Sequence, residues 1–196
     1  MDTASGSRQQ LDKLHILLER RALLIVAGLP GAGKSTLLRG AQRDAPVDVP
    51  ITVLDTDQVR ARLAAALPPG TPFAWYRPLA PVVHRLRLLI TAVLATGPVV
   101  VHHPATGAAA RIALAVLGAL CGRPCHLLWV DCTPDEALAG QHQRGRVRLK
   151  WSFARHANRA ERARARLRAP NPPWGWKTVT VIDRPAAARG LHLAVV

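Results

Sequence analysis

Acidic residues are scarce in this 196-residue chain: twelve Asp and Glu stand against 27 Lys and Arg, for a formal net charge of +15. Few carboxylates are therefore on hand for metal binding or general-base work, and acidic partners or polyanions are favoured over basic ones. Three cysteines, Cys121, Cys125 and Cys132, form no C-x-x-C pair. An odd number is a poor disulfide framework and their spacing implies no metal site, so they are expected as reduced thiols in a cytoplasmic protein. No run of about 18 apolar residues is present, which argues against a membrane span. The longest apolar stretch, 88–101, is interrupted by Thr91, Thr96, Gly97 and Pro98. The amino terminus carries Asp2 and polar residues in place of a basic and then apolar leader, so no signal peptide is expected. At 49% hydrophobic the chain has enough apolar side chain for a full core, and its length suits one domain spanning residues 1–196.

What is present begins with Gly28-Leu29-Pro30-Gly31-Ala32-Gly33-Lys34-Ser35-Thr36, a match to G-x-x-x-x-G-K-[ST]. The apolar run 22–27 before it has the length of a buried strand, and the residues after it open a helix. In that setting Gly28, Pro30, Gly31, Ala32, Gly33, Lys34, Ser35 and Thr36 are the expected triphosphate-binding residues. Glycines let consecutive N–H groups turn toward phosphate oxygens, and the helix start adds unpaired donors and a positive dipole end. Lys34 is the expected partner of the β- and γ-phosphates, and the Ser35 hydroxyl a Mg²⁺ ligand. The expected cofactors are ATP and Mg²⁺.

Strand and helix signals alternate along the rest of the chain. Leu11, Leu14, Leu17 and Leu18 recur at helical spacing, which predicts an amphipathic helix ahead of the first strand. Residues 51–54, 99–101, 124–130 and 178–182 read as further strands, and 58–67, 79–95 and 108–120 as helices. The alternation predicts an α/β fold with a mostly parallel sheet covered on both faces. Asp55 and Asp57 follow the strand 51–54, where ligands bind in open α/β sheets. Asp57 is the candidate base for an attacking hydroxyl and Asp55 a candidate Mg²⁺-water ligand; either one also fits as an N-cap of the next helix. Residues 71–78 hold two prolines and read as irregular, with Trp75, Tyr76 and Arg77 either walling an acceptor pocket or plugging the core edge. His84 is read as a solvated helix residue or as part of that acceptor face, and Arg60 joins the same set of candidate substrate contacts.

The positive charge is concentrated. Residues 144–168 carry nine Arg, Lys150 and only Glu161, a net +9. Between the strands 124–130 and 178–182 a mainly helical insertion is expected, with the lid at about 140–170. A helix opens at 135–138 with Thr133 or Asp135 as cap and Pro134 near its first turn, Trp151-Ser152-Phe153 interrupts, and 156–169 resumes. Arg144 and Arg148, with Arg146 as a further candidate, are placed to meet the triphosphate on closure. The arginines from 155 to 168 read as a solvated helix face.

Taken together, Gly28–Thr36, Asp55–Arg60, the strand at 99–101 with Arg111 beyond it, and Gln143–Arg146 resemble the small P-loop kinases of the AAA type. That group is related to polynucleotide 5′-hydroxyl kinases, zeta toxins, chloramphenicol phosphotransferase and gluconate kinase. The resemblance spans about 22–183. It implies a five-stranded parallel sheet of order 2-3-1-4-5, action of Asp57 on the acceptor hydroxyl, and ATP contacts from Arg144 and Arg148. One departure is plain: where relatives carry an acid at the end of the third strand, this chain has His102-His103. Three functions compete on these grounds. They are a kinase of small hydroxyl-bearing acceptors, a polynucleotide 5′-hydroxyl kinase using the Arg-rich segment, and a nucleotide-binding regulatory protein.

Overall fold

A computed structural model describes residues 13–43, 49–143 and 150–196. Its main sheet has five parallel strands: β2 (Leu23–Gly28), β3 (Thr52–Leu54), β4 (Val99–His102), β5 (Cys125–Val130) and β6 (Thr178–Ile182). Their order is β3-β4-β2-β5-β6. Counted from the phosphate-loop strand, this is 2-3-1-4-5, as the resemblance implied. The central strands β2 and β5 are buried at every position. Both faces of such strands are covered, so their sequences run apolar without alternation.

Connection direction decides which face each helix covers. The chain leaves β2 for β3 through α1 (Lys34–Arg43). It returns the other way across the sheet, from β3 through α2 (Thr56–Ala66), α3 (Phe73–Tyr76) and α4 (Leu79–Leu94) to β4, and from β4 through α5 (Ala108–Leu120) to β5. Right-handed crossovers then put α1 on one face and α4 and α5 on the other, and α4 and α5 do touch. Helix α6 (Pro134–His142) and α7 (Lys150–Leu167) connect β5 to β6. The core is one cluster of Leu, Ile, Val and Ala around the fully buried Trp129.

Local signals explain the helix ends. Asp55 caps α2, accepting from Asp57 N, with Gln58 completing a capping box. Thr133 caps α6 in the same way with Glu136, and Pro134 stands in the first turn, where its missing N–H costs nothing. The carboxyl end of α4 lacks a glycine cap. Instead the buried Arg123 donates to the carbonyls of Ala92, Arg21 and Gly97, and to that of Ala95. One guanidinium thus satisfies carbonyls that would otherwise be buried unpaired.

Several expectations require correction. The predicted amino-terminal helix is a strand, β1 (Leu14–Leu18), paired in parallel with β7 (Leu191–Val195) in a separate two-stranded sheet. Leu14 and Leu18 fit helical and strand spacing alike, and the partner that decides between them lies some 175 residues away in sequence. Leu11 falls outside the described residues. Beyond the strand 178–182, α8 (Arg184–Arg189), capped by Asp183, leads into β7, an element pair the sequence reading lacks. Residues 73–76, expected as irregular, make one helical turn. Trp151-Ser152-Phe153 does not interrupt α7, which runs unbroken with Phe153 in the core and Trp151 outside.

Candidate active site

The phosphate-loop sequence forms a tight turn between β2 and α1. Gly28, Gly31 and Gly33 have φ of 134°, 100° and 102°, a region that disfavours residues with a side chain. Space adds a second constraint at two of them. A Cβ on Gly28 would lie 2.4 Å from the Val130 carbonyl oxygen, and one on Gly31 would lie 2.0 Å from that of Ala137. At Gly33 nothing stands within 4 Å, so the loop faces open space where phosphate oxygens would approach. Lys34 is 3% exposed. Its Nζ donates to the carbonyls of Gly28 at 3.0 Å and Leu29 at 2.7 Å. The ammonium is thereby stored inside the loop that it would serve.

Helix α6 lies directly on this loop. Gln141 Nε2 donates to Pro30 O at 2.9 Å, and a Cβ on Gly140 would come within 2.3 Å of Gly31 O. The element that leads into the Arg-rich segment is therefore in backbone contact with the phosphate loop. Sequence reading missed Gln141 and Gly140, because neither belongs to a motif.

Ser35, Asp55 and His102 meet at the carboxyl ends of β2, β3 and β4. His102 Nδ1 stands 2.7 Å from Asp55 Oδ1 and 3.4 Å from Ser35 Oγ. An ionised carboxylate only accepts hydrogen bonds, so Nδ1 carries the proton and donates to Asp55. Both contacts use the same ring nitrogen, which excludes a serine–histidine–aspartate relay. Burial opposes ionisation of Asp55. The His102 hydrogen bond and charge, with the Asp57 N–H and the Ser35 hydroxyl, outweigh it and hold the carboxyl below the usual range. Burial also lowers the His102 pKa, with Asp55 opposing and Lys34 adding to the fall. The pair at neutral pH is a carboxylate and a neutral imidazole. His102, seen in the sequence only as a departure from the acid, is the residue that orients Asp55.

Behind it the histidine cluster continues. His84 Nε2 donates to His102 O at 3.1 Å, while its buried Nδ1 has no hydrogen-bond partner. His84 is 3% exposed, so it is neither a solvated helix residue nor open to an acceptor; it braces the end of β4. His103 Nδ1 accepts from Ala105 N at 3.0 Å, and burial pushes its pKa down to about 4. Ala105 has φ 45°, the one positive value at a non-glycine among the described residues. Arg111 holds that strained turn through the Ala105 and Thr106 carbonyls, both at 2.9 Å, and Thr106 bonds His156 of α7 at 2.8 Å.

Asp57 sits in the first turn of α2, half-buried, and pairs with Arg60 at 2.8 Å. Asp55 is the N-cap, and Asp57 is thus left outside the cap. Trp75 and Arg77 are exposed and Tyr76 partly so. Arg144, Arg146 and Arg148 lie outside the described residues. The arginines from 155 to 168 are exposed as expected except Arg164, which is partly buried. Arg164 and the exposed Arg168, just past α7, both bond Asp131 at the end of β5, at 3.1 and 2.8 Å.

The hard oxygens of Ser35 and Asp55 suit Mg²⁺, which is commonly bound by one or two protein oxygens with phosphates and water. No group of three or more His, Cys, Asp or Glu able to hold a metal occurs among the described residues. A site completed by the nucleotide's own oxygens is what the residues fit.

A family model, AAA_33, described as an AAA domain, matches residues 23–171. The chain belongs to this family. Among solved structures this AAA-domain chain is similar to the PezAT chromosomal toxin–antitoxin system of Streptococcus pneumoniae, at 13% identity and a TM-score of 0.59, over 95% of this chain and 78% of that one. It is also similar to a kinase candidate from Chloroflexus aurantiacus (16%, TM-score 0.56, 84% and 86%) and to the tunicamycin resistance protein of Deinococcus radiodurans (15%, TM-score 0.50, 83% and 85%). At these identities the likeness is one of fold, and that fold is the small P-loop kinase fold. No curated protein sequence matches the chain. No helix among the described residues is long and apolar enough to cross a membrane.

Proposed function

We propose that this protein is an ATP-dependent phosphotransferase that moves the γ-phosphoryl group to a hydroxyl of a small-molecule acceptor. We read it as one cytoplasmic P-loop kinase domain over residues 1–196 with a lid at about 140–170. The observation that carries the reading is the convergence of the glycine loop, Lys34, Ser35, Asp55 and a second carboxylate, Asp57, at one end of the sheet. A protein that only binds nucleotide needs the loop; Asp57, a second acid outside the helix cap and paired with Arg60, is what favours a transfer reaction.

Bound ATP–Mg²⁺ would supply the activated phosphoryl group and charge neutralisation. Ser35 and Asp55 would hold the metal side, with His102 fixing the Asp55 rotamer. Lys34 would exchange its loop carbonyls for the β- and γ-phosphate oxygens. Asp57 would accept the proton of the acceptor hydroxyl as the acceptor O–P bond forms and the bond between the γ-phosphorus and the β–γ bridging oxygen breaks. Arg60 would hold Asp57 in place, and Trp75, Tyr76 and Arg77 would border the acceptor. Arg144 and Arg148 would meet the leaving oxygens, since phosphoryl transfer is driven mainly by positioning and electrostatics.

A polynucleotide 5′-hydroxyl kinase is the second reading. It is favoured by the exposed Trp151, whose ring lies 5.1 Å from the Arg155 guanidinium, in the most basic helix of the chain. An aromatic face beside cations is how single strands are gripped. Transfer of labelled γ-phosphate to a panel of 5′-hydroxyl RNA and DNA, nucleosides, sugars and antibiotics separates the two. A small-molecule product lost in Asp57→Asn supports the proposal. A labelled oligonucleotide end, with RNA binding that falls steeply as salt rises, supports the second reading. Inorganic phosphate alone, at equal rates in both proteins, would overturn Asp57 as base and favour a regulatory nucleotide-binding role.

A further inference from the structure

Helix α7 gathers its positive charge on one flank. At 3.6 residues per turn, Trp151, Arg155, Arg159, Arg162 and Arg166 fall within an arc of about 80°. All five are exposed. The core-facing side chains, Phe153, Ala160, Ala163 and Leu167, lie outside that arc. So does Glu161, the one acid of the helix, which pairs with Arg164 at 3.0 Å. A solvated helix face ordinarily mixes charges of both signs at i,i+3 and i,i+4. Here four arginines follow one another at those spacings with no acid among them. Among the described residues none of the four pairs with a carboxylate.

The neighbouring elements add to this charge and do not neutralise it. Arg159 runs beside Gly107, where a Cβ would lie 3.9 Å from its Cδ and from one guanidinium nitrogen. Gly107 is the N-cap of α5; it gives no side-chain cap, and the first turn of that helix holds no acid. The free N–H groups of a helix start carry partial positive charge. Farther along, burial and then the nearby Arg166 lower the Arg111 pKa, and no carboxylate offsets them. Cations held this close together are stabilised by a bound polyanion.

We infer that this flank of α7 docks the backbone of a single-stranded nucleic acid, with Trp151 stacking on a base. The inference goes beyond the phosphotransfer reading: it concerns strand phosphates along α7, not the hydroxyl that accepts the γ-phosphoryl group. From Trp151 to Arg166 the stripe is about 22 Å long at about 1.5 Å per residue, room for several consecutive phosphates. A chain of net charge +15 attracts such a strand from a distance. Arginine suits the contact, because its planar guanidinium grips phosphate oxygens in pairs and stacks on flat rings. Trp151 is 63% exposed, with the Arg155 guanidinium 5.1 Å from its ring centre. An aromatic face beside cations takes an unstacked base, which a single strand offers and a duplex does not. An acidic protein would find no apolar centre on this flank beyond Trp151, and protein interfaces are built around one. A membrane would need apolar side chains to insert beside the arginines, and those of α7 are in the core.

The test is fluorescence anisotropy of the full chain with oligouridylate of about 12 nucleotides, a length within known single-strand sites. The fluorophore blocks the 5′ end and no ATP is present. The wild type should bind, with log K falling against log salt at a slope of about −3 or steeper, about 0.7 for each of four phosphates. In R159Q/R162Q the slope should shrink by about 1.4, and binding at about 50 mM salt should weaken about tenfold or more. Trp151→Ala should weaken binding about fivefold or more at an unchanged slope, because it removes stacking and no charge. ATP affinity, measured by calorimetry, should be equal in all three chains and confirms that the variants fold. A wild type that does not bind at about 50 mM salt overturns the proposal. Equal binding by R159Q/R162Q also overturns it, since the strand then sits on another surface. If Trp151→Ala has no effect and polyglutamate displaces the strand as well as unlabelled oligouridylate does, the flank takes acidic chains in general and the nucleic-acid assignment is rejected. Neither ATP nor an acceptor hydroxyl at the 5′ end enters the assay. Oligonucleotide binding without any phosphoryl transfer therefore overturns only the phosphotransfer reading, and transfer without oligonucleotide binding overturns only this inference.

Discussion

At the scale of single residues the site is a set of charged groups held by specific neighbours. If Asp57 is the base, Asp57→Asn lowers kcat by about 10²–10⁴ with little change in KM for ATP, as expected for loss of a general base; steady-state kinetics on the identified acceptor checks this. The histidine cluster makes a separate prediction about pH. His84, His102 and His103 all have lowered pKa values, from burial in each case. Such a group binds fewer protons folded than unfolded, so stability is lost as pH falls from the unfolded value, 6.5, toward the folded one, about 4 for His103. The depressed Asp55 acts at lower pH: its contribution is present above the unfolded value of 3.8 and is lost as pH falls through the folded one. The melting temperature should therefore drop between about pH 6.5 and 4. In His103→Asn, whose side-chain oxygen can still accept from Ala105 N, that drop should be shallower.

At the scale of elements, the contact between α6 and the phosphate loop carries the clearest consequence. Gly140→Ala puts a methyl 2.3 Å from Gly31 O, which forces the helix off the loop although residue 140 belongs to no nucleotide-binding motif. ATP affinity measured by calorimetry should fall about tenfold or more, the scale of a loop misplaced by an ångström. An unchanged affinity would show that α6 and the loop move independently. Helix α4 offers a test of its own terminus. Arg123→Met removes the guanidinium that satisfies the Ala92, Gly97 and Arg21 carbonyls. The cost should be about 2–4 kcal/mol in urea unfolding, because buried acceptors lose their donors.

At the scale of the whole molecule, the strands of the five-stranded sheet were legible in the sequence because each is a short apolar run, and the crossover helix 79–94 because its apolar residues recur at helical spacing. The two-stranded sheet was not. Leu14, Ile16 and Leu18 alternate as a strand, yet Leu14, Leu17 and Leu18 also fit a helix. Only the pairing with Leu191–Val195 decides it. His84 was misread for a related reason. A histidine among arginines on a helix gives no local sign that its neighbours will bury it against the end of β4.

The sequence by itself determined the phosphate loop and the carboxylates after β3, because these depend on local geometry and spacing; the strand order was legible only as what the family resemblance implies. The tertiary structure alone decided that His102 holds Asp55, that α6 rests on the loop, and that the ends of the chain pair. Each of these depends on groups far apart in sequence whose meeting no local propensity encodes.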